Sequence, residues 1–223
     1  MRIILQVVIN IIMVPLLPLL ISTRWDWWEA WFLAGLFILG FVISRVLVRR
    51  RHPQLIAERS DFLKQPGVKP WDKILVPLLS LGGALVMVYA GLDDLYHFSA
   101  PVGLWVRLAG MLVVTLGYAL SSYALVENAF FSAAVRIQTE RGQTVVSTGP
   151  YRWVRHPGYL GGILVYVGVP LLLGSVLALL PALFLLVTLV YRTRMEDMVL
   201  QDELQGYRDY ASRVRYRLLP PLW

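Results

Sequence analysis

Five long apolar blocks decide the solvent of this chain before anything else can be read: Ile3–Ile21, Trp28–Val48, Ile74–Leu92, Val102–Val126 and Tyr159–Tyr191. About 20 apolar residues in a row make a helix long enough to cross a hydrocarbon core of about 30 Å. Inside lipid every backbone polar group must be satisfied internally, so such blocks become helices. The expected fold is all-α: a polytopic membrane protein of about five to six transmembrane helices. Charged residues are only 16% of the 223, whereas a soluble domain carries about 25%. The first block follows a single basic residue, Arg2, and is interrupted by Pro15 and Pro18. No small-residue cleavage site follows it, so it reads as a retained span rather than a signal peptide.

The net charge of +7 does not point to nucleic acid, because the basic residues are sorted by loop. Eight of the 21 Lys and Arg residues fall in Arg45–Lys73, and six in Arg192–Arg217. Arg136, Arg141, Arg152 and Arg155 lie in the next long polar segment, while the alternate connections hold only Arg24 and Arg107. Basic loops face the cytoplasm, which places both termini there. With no cysteine in the chain, disulfides, thiolate metal sites and a cysteine nucleophile are excluded. No metal site is expected; His97 beside Asp93 and Asp94 reads as a solvated loop.

The last block settles its own topology. Both flanks are basic, so it must cross an even number of times. Its 33 residues would make one helix of about 50 Å, too long for a single crossing. A break at Gly174-Ser175, after Pro170, resolves both points. The block becomes a hairpin of Leu160–Leu173 and Val176–Tyr191, the second leg running on past the membrane as a helix. The count is then six segments, or four plus a shallow hairpin. Residues 1–127 read as four membrane helices with a basic loop at 49–73. Residues 128–223 read as a second region: a cytoplasmic loop, the hairpin at 159–191, and a cytoplasmic helix and tail.

Two polar pieces, Asn128–Gly158 and Arg192–Trp223, bracket the hairpin and must therefore meet. His156 precedes Pro157, a residue suited to the first turn of a helix. That puts His156 at a helix N-terminus, where free N–H groups attract a carboxylate. Gly161 and Gly162 allow something flat to approach the backbone. In the second piece Arg192 and Glu196 share a helix face. An acid there can hold an ammonium, and an arginine can hold a carboxylate with two hydrogen bonds. A bland interpretation, basic anchors and an ordinary surface ion pair, fits each piece taken alone. Arg51-His52-Pro53 repeats part of the first motif but reads as a basic turn. Glu127, at the end of the fourth span, is expected to be structural.

The run Arg155-His156-Pro157-Gly158-Tyr159-Leu160-Gly161, an apolar hairpin, then Glu196-Asp197-Met198-Val199-Leu200 resembles the isoprenylcysteine carboxyl methyltransferase and phospholipid methyltransferase superfamily. The resemblance runs from about Gln138 to Pro220. The tail, Gly206 to Tyr216, resembles the bacterial members. What it implies is a membrane methyltransferase with S-adenosylmethionine held at the cytoplasmic surface and a lipid or isoprenoid acceptor. Gln138, Gln143, Thr144, Val145, Val146, Tyr151, His156, Pro157, Gly158 and Tyr159 would line the cofactor site. Glu196 would bind the cofactor ammonium, and Arg192 would face a substrate carboxylate. Asp197 stands where the family usually has a second Glu. The acceptor stays open between a prenylcysteine carboxylate, a phospholipid amine and another isoprenoid carboxylate, and oligomeric state is not readable.

Methyl transfer is an in-line displacement that needs alignment more than proton chemistry, and positioning can supply about 7–11 kcal/mol of a barrier. No Gly-x-Gly-x-x-Gly follows a strand, so a Rossmann methyltransferase is excluded. Membrane sterol and steroid reductases share the Arg-His-Pro-x-Tyr-x-Gly theme but use NADPH, and form the nearest rival. A transporter or non-catalytic scaffold is the rival from another class. It would keep mid-bilayer charges between internal repeats, and neither is seen here.

Overall fold

In the computed structural model residues 8–60, 65–221 and 223 are described. Residues 3–7 of the first expected span and 61–64 of the basic loop lie outside these. A π-helical turn at Val8–Met13 leads into α1, Val14–Ser22. The long helices α2, Trp28–Arg51, α4, Asp72–Tyr96, and α5, Leu104–Glu127, carry the next three apolar blocks. A short α3, Gln54–Ser60, lies in the basic loop. The hairpin is α6, Pro157–Leu173, and α7, Leu179–Glu203, followed by α8, Tyr207–Arg213. Among the described residues there is no strand. α2, α4 and α5 are each long and apolar enough to cross a membrane, and α1 and α6 are shorter apolar helices. The chain is an integral, all-helical membrane protein.

The hairpin breaks where proline and glycine direct it to. α6 ends at Leu173, and Gly174 takes φ 67°, a conformation glycine adopts at no steric cost. The tip is not shallow. Asp93, near the end of α4, accepts hydrogen bonds from Ser175 Oγ and from Leu177 N at 3.2 Å. It also accepts from Ser99 N at 2.8 Å and Ser99 Oγ at 2.6 Å, in the α4–α5 loop. Beside it Arg107 pairs with Glu29 at 2.7 Å, and Arg24 pairs with Asp94. The hairpin tip thus sits level with the ends of α2, α4 and α5 that carry Glu29, Asp93 and Arg107, so the hairpin runs the depth of these helices.

The core beneath that tip joins Leu19, Trp27, Leu33, Val86, Val114, Val169, Leu172 and Leu185 from α1, α2, α4, α5, α6 and α7. Leu39, Ile43, Leu112, Leu116, Leu183 and Val187 point outward and stay exposed, the side such helices turn to lipid. α5 and α6 make the most extensive helix contact. Small residues permit it: a β-carbon added at Gly117 would lie 2.7 Å from Gly161 O. What approaches flat against Gly161 is therefore the backbone of α5, not a ligand. The α5–α6 pair positions everything that follows, because the polar segment between them emerges at the end opposite the tip.

Candidate ligand site at the hairpin base

The two polar pieces do meet. Arg155 N donates to Tyr216 O at 2.9 Å, and His156 N to Arg217 O at 3.0 Å. Tyr210 Oη donates to Tyr151 O at 2.7 Å. They enclose a cavity of about 230 Å³ at the cavity-end mouths of α6 and α7. Of the residues expected at the site, Gln143, Thr144, Val145, Val146, Tyr151, His156, Gly158, Tyr159, Arg192 and Glu196 line it. Gln138 and Pro157 do not. Gln138 is fully buried under the loop, its Nε2 donating to Phe130 O at 2.8 Å and its Oε1 accepting from Arg141. It shapes the loop from behind. Pro157 is the first residue of α6, with His156 as its N-cap.

Sequence reasoning passed over Phe130, Phe131, Arg136, Leu200, Leu204 and Tyr207, which also line the cavity. Only their place in the two polar pieces hinted at this. The irregular stretch Gln143–Val146 forms one wall, and Ser147 lies just beyond it. Among the described residues the backbone N–H and C=O groups of Thr144–Ser147 make no hydrogen bond. Such groups seek partners, and here they border a cavity.

Asp197 organises the wall opposite. It is fully buried. Arg155 grips it with Nε at 2.8 Å and Nη2 at 3.1 Å, and Arg217 Nε reaches it at 2.8 Å. Gln201 Nε2 at 2.7 Å and Tyr207 Oη at 3.0 Å complete the set. His156 Nε2 lies 3.2 Å from Oδ1. A carboxylate only accepts, so Nε2 carries the proton. Burial alone would raise the Asp197 pKa, but the hydrogen bonds from His156, Arg217 and Arg155 hold it well below the carboxylate range. Burial beside that carboxylate pushes the Tyr207 phenol up. The shorter acid at 197 is thus an internal anchor for the tail and for His156.

Charge in the cavity is sharply divided. Four charged side chains line it: Arg136, Arg155, Arg192 and Glu196. Arg136 is bound by Glu58 at 2.8 Å and Glu140 at 2.7 Å, Arg155 by Asp197, and Arg192 by Asp72 at 2.7 Å. Glu196 receives a hydrogen bond from Tyr159 Oη. Among the described residues no cation pairs with it, and the i,i+4 partner expected for it, Arg192, bonds elsewhere. Every lining guanidinium has a carboxylate partner, Arg155 sharing Asp197 with Arg217, whereas Glu196 makes no ion pair among the described residues and feels Arg192 only at longer range. Aromatic faces surround the space, with the His156 and Tyr159 rings stacked at 5.8 Å.

Long apolar helices packed over a polar cavity at the hairpin base are those of an integral membrane protein with a candidate ligand site. Residues 108–202 match the isoprenylcysteine carboxyl methyltransferase (ICMT) family, which bears out the resemblance read from the motifs. The chain is 33% identical over 108 residues to the protein-S-isoprenylcysteine O-methyltransferase of Saccharomyces cerevisiae, covering 47% of this chain and 45% of that one. It is 30% identical over 114 residues to the enzyme of the same name from Tribolium castaneum, covering 49% and 40%. It is also 29% identical over 138 residues to the Delta(14)-sterol reductase TM7SF2 of Mus musculus, covering 56% and 33%. The chain spans less than half the length of each of these curated relatives.

Proposed function

We propose that this chain is a membrane methyltransferase that takes its methyl group from S-adenosylmethionine and passes it to a lipid-like acceptor, of which an isoprenoid carboxylate fits best. The observation that carries this reading is Glu196, the charged group on the cavity lining with no ion pair among the described residues, beside guanidiniums that are all paired. Such a site favours a ligand with a positive charge, and the cofactor brings both an ammonium and a sulfonium. When bound, the cofactor supplies an electrophilic methyl group.

The residues present fit that ligand. Glu196 holds the ammonium, with Tyr159 fixing the carboxylate from one side. Tyr159 N and Leu160 N donate to His156 O, so among the described residues Gly158 N is the first-turn donor of α6 left for the cofactor carboxylate. The unbonded edge of Thr144–Ser147 suits the hydrogen-bonding edge of a nucleobase. Phe130, Phe131, Val145, Leu200 and Leu204 supply apolar walls. Tyr159 offers a ring face that tolerates a cation. His156, locked by Asp197, keeps its stacked position against Tyr159. Arg192 directs the acceptor carboxylate. The positive-inside count puts this end at the cytoplasmic face, where a polar cofactor arrives from water and an apolar acceptor from the bilayer. Residues 128–223 then form the catalytic region and 1–127 mainly its membrane scaffold.

The match to a sterol reductase favours a second reading, a nicotinamide-dependent reductase. Charge argues against it. Nucleotide phosphates are recognised by arginines or lysines free of acidic partners, whereas each lining arginine is ion-paired, Arg192 with Asp72, and Glu196 would repel a phosphate. The test is equilibrium binding to the purified protein. Saturable binding of S-adenosylmethionine with no binding of NADPH is expected; preference for NADPH overturns the proposal. Labelled cofactor incubated with membranes then identifies the acceptor by the lipid fraction that gains the methyl.

A further inference from the structure

Asp72 opens α4, in the half of the chain that lies outside the family match at residues 108–202. An acid at a helix N-terminus usually serves its own helix. This one serves the cavity. Its side chain is fully buried. Oδ1 accepts from Arg192 Nε at 2.7 Å, and Oδ2 from Arg192 Nη2 at 2.9 Å. Oδ2 also accepts from Val135 N at 2.6 Å, in the cavity wall. Arg192 Nη2 donates further to Ala133 O at 3.0 Å. The guanidinium lies 5.2 Å over the Tyr159 ring. Among the described residues Nη1 is the one guanidinium nitrogen of Arg192 with no hydrogen bond, and Arg192 lines the cavity.

We propose that Asp72 is a positioning residue: it clamps the Nε–Nη2 edge of Arg192 so that the Nη1 edge faces the acceptor's carboxylate. This rests on the methyltransferase reading above. The clamp has a chemical consequence. Asp72 compensates the guanidinium charge, so Arg192 holds an acceptor by the direction of two N–H groups on one fixed nitrogen rather than by net attraction. A lysine at 192 lacks the planar fork and cannot be held at two points while donating from a third. The same carboxylate fixes the wall at Val135, so the scaffold half of the chain sets the geometry of the matched half.

The test uses the full-length protein in detergent micelles with Asp72→Asn, Asp72→Glu, Arg192→Lys and the double variant Asp72→Asn/Arg192→Lys. Cofactor affinity is read by calorimetry with S-adenosylmethionine. Transfer is read with N-acetylcysteine carrying a farnesyl thioether, whose free carboxylate is the probe. In Asp72→Asn cofactor affinity should stay within about twofold while kcat falls about tenfold or more, the scale of a charged hydrogen bond. The double variant should be no slower than the worse single one, because the two residues act as a unit. Asp72→Glu, which keeps the charge but shifts the guanidinium, guards against a misfolded Asn variant and should show the same split. Wild-type kcat in both Asp72 variants overturns the inference alone. So does a parallel loss of cofactor affinity and thermal midpoint in both, which is what a merely structural residue would give. Failure of the wild type to methylate the probe removes the carboxylate reading and this inference with it, and the binding arm still reports on the cofactor.

Discussion

Replacing Asp197 with alanine should cost the protein its folded site: we expect a loss of about 3–5 kcal/mol, the range for leaving buried charges without their partner. Arg155, Arg217, His156, Gln201 and Tyr207 all converge on this one fully buried carboxylate. Removing it leaves Arg155 and Arg217 without their carboxylate, while the tail keeps only its carbonyl bonds to Arg155 and His156. The sign with pH follows from the same contacts. The Asp197 pKa is depressed in the fold, so its stabilisation is complete above the unfolded carboxylate value and is lost only as pH falls below it toward the folded one. Thermal unfolding of the micellar protein at neutral pH checks the prediction. Asp197→Glu keeps the charge and should lose less, about 1–3 kcal/mol, from forcing an extra methylene into a packed position. Equal midpoints for wild type and Asp197→Ala would show that the anchor is not one.

Glu196→Gln should act in the opposite manner, sparing the fold and removing the ligand. The amide oxygen can still accept from Tyr159 Oη, so the helix and cavity keep their shape. What disappears is the charge on the lining that makes no ion pair among the described residues. A charged hydrogen bond contributes about 1.5–3 kcal/mol, so affinity for S-adenosylmethionine should drop by about 10- to 150-fold. Calorimetric titration of both proteins reads this directly. An unchanged thermal midpoint alongside the loss separates binding from folding; unchanged affinity would remove Glu196 from the ligand's ammonium.

Much of the fold was legible because lipid leaves few choices. Block lengths and the Pro170…Gly174-Ser175 break carried the long apolar helices and the hairpin. The depth of the hairpin was not legible, since it depends on Asp93 meeting Ser175, residues 82 positions apart. The site divides in the same way. Local motifs brought out His156, Tyr159 and Glu196, which line the cavity. Arg192 was paired by spacing with Glu196, yet its partner is Asp72, 120 positions away. Helical spacing shows only neighbours on one helix; a buried guanidinium takes whichever carboxylate the tertiary fold brings to it. Gln138 came from the resemblance and lies beneath the loop rather than on the cavity surface. Asp197 drew little notice because a shorter acid reads as a weakened ligand. Only burial reveals that its length suits an anchor.

The absence of cysteine from the natural sequence makes the central claim directly accessible. Thr144→Cys introduces one thiol on the unbonded cavity wall, and its rate of labelling by a maleimide can be followed with each nucleotide present. Saturating S-adenosylmethionine should slow that labelling markedly, NADPH should leave it unchanged, and adding Glu196→Gln should abolish the protection. Labelling indifferent to S-adenosylmethionine, or slowed by NADPH instead, would contradict a cation-selecting cavity built from the two polar pieces at the hairpin base.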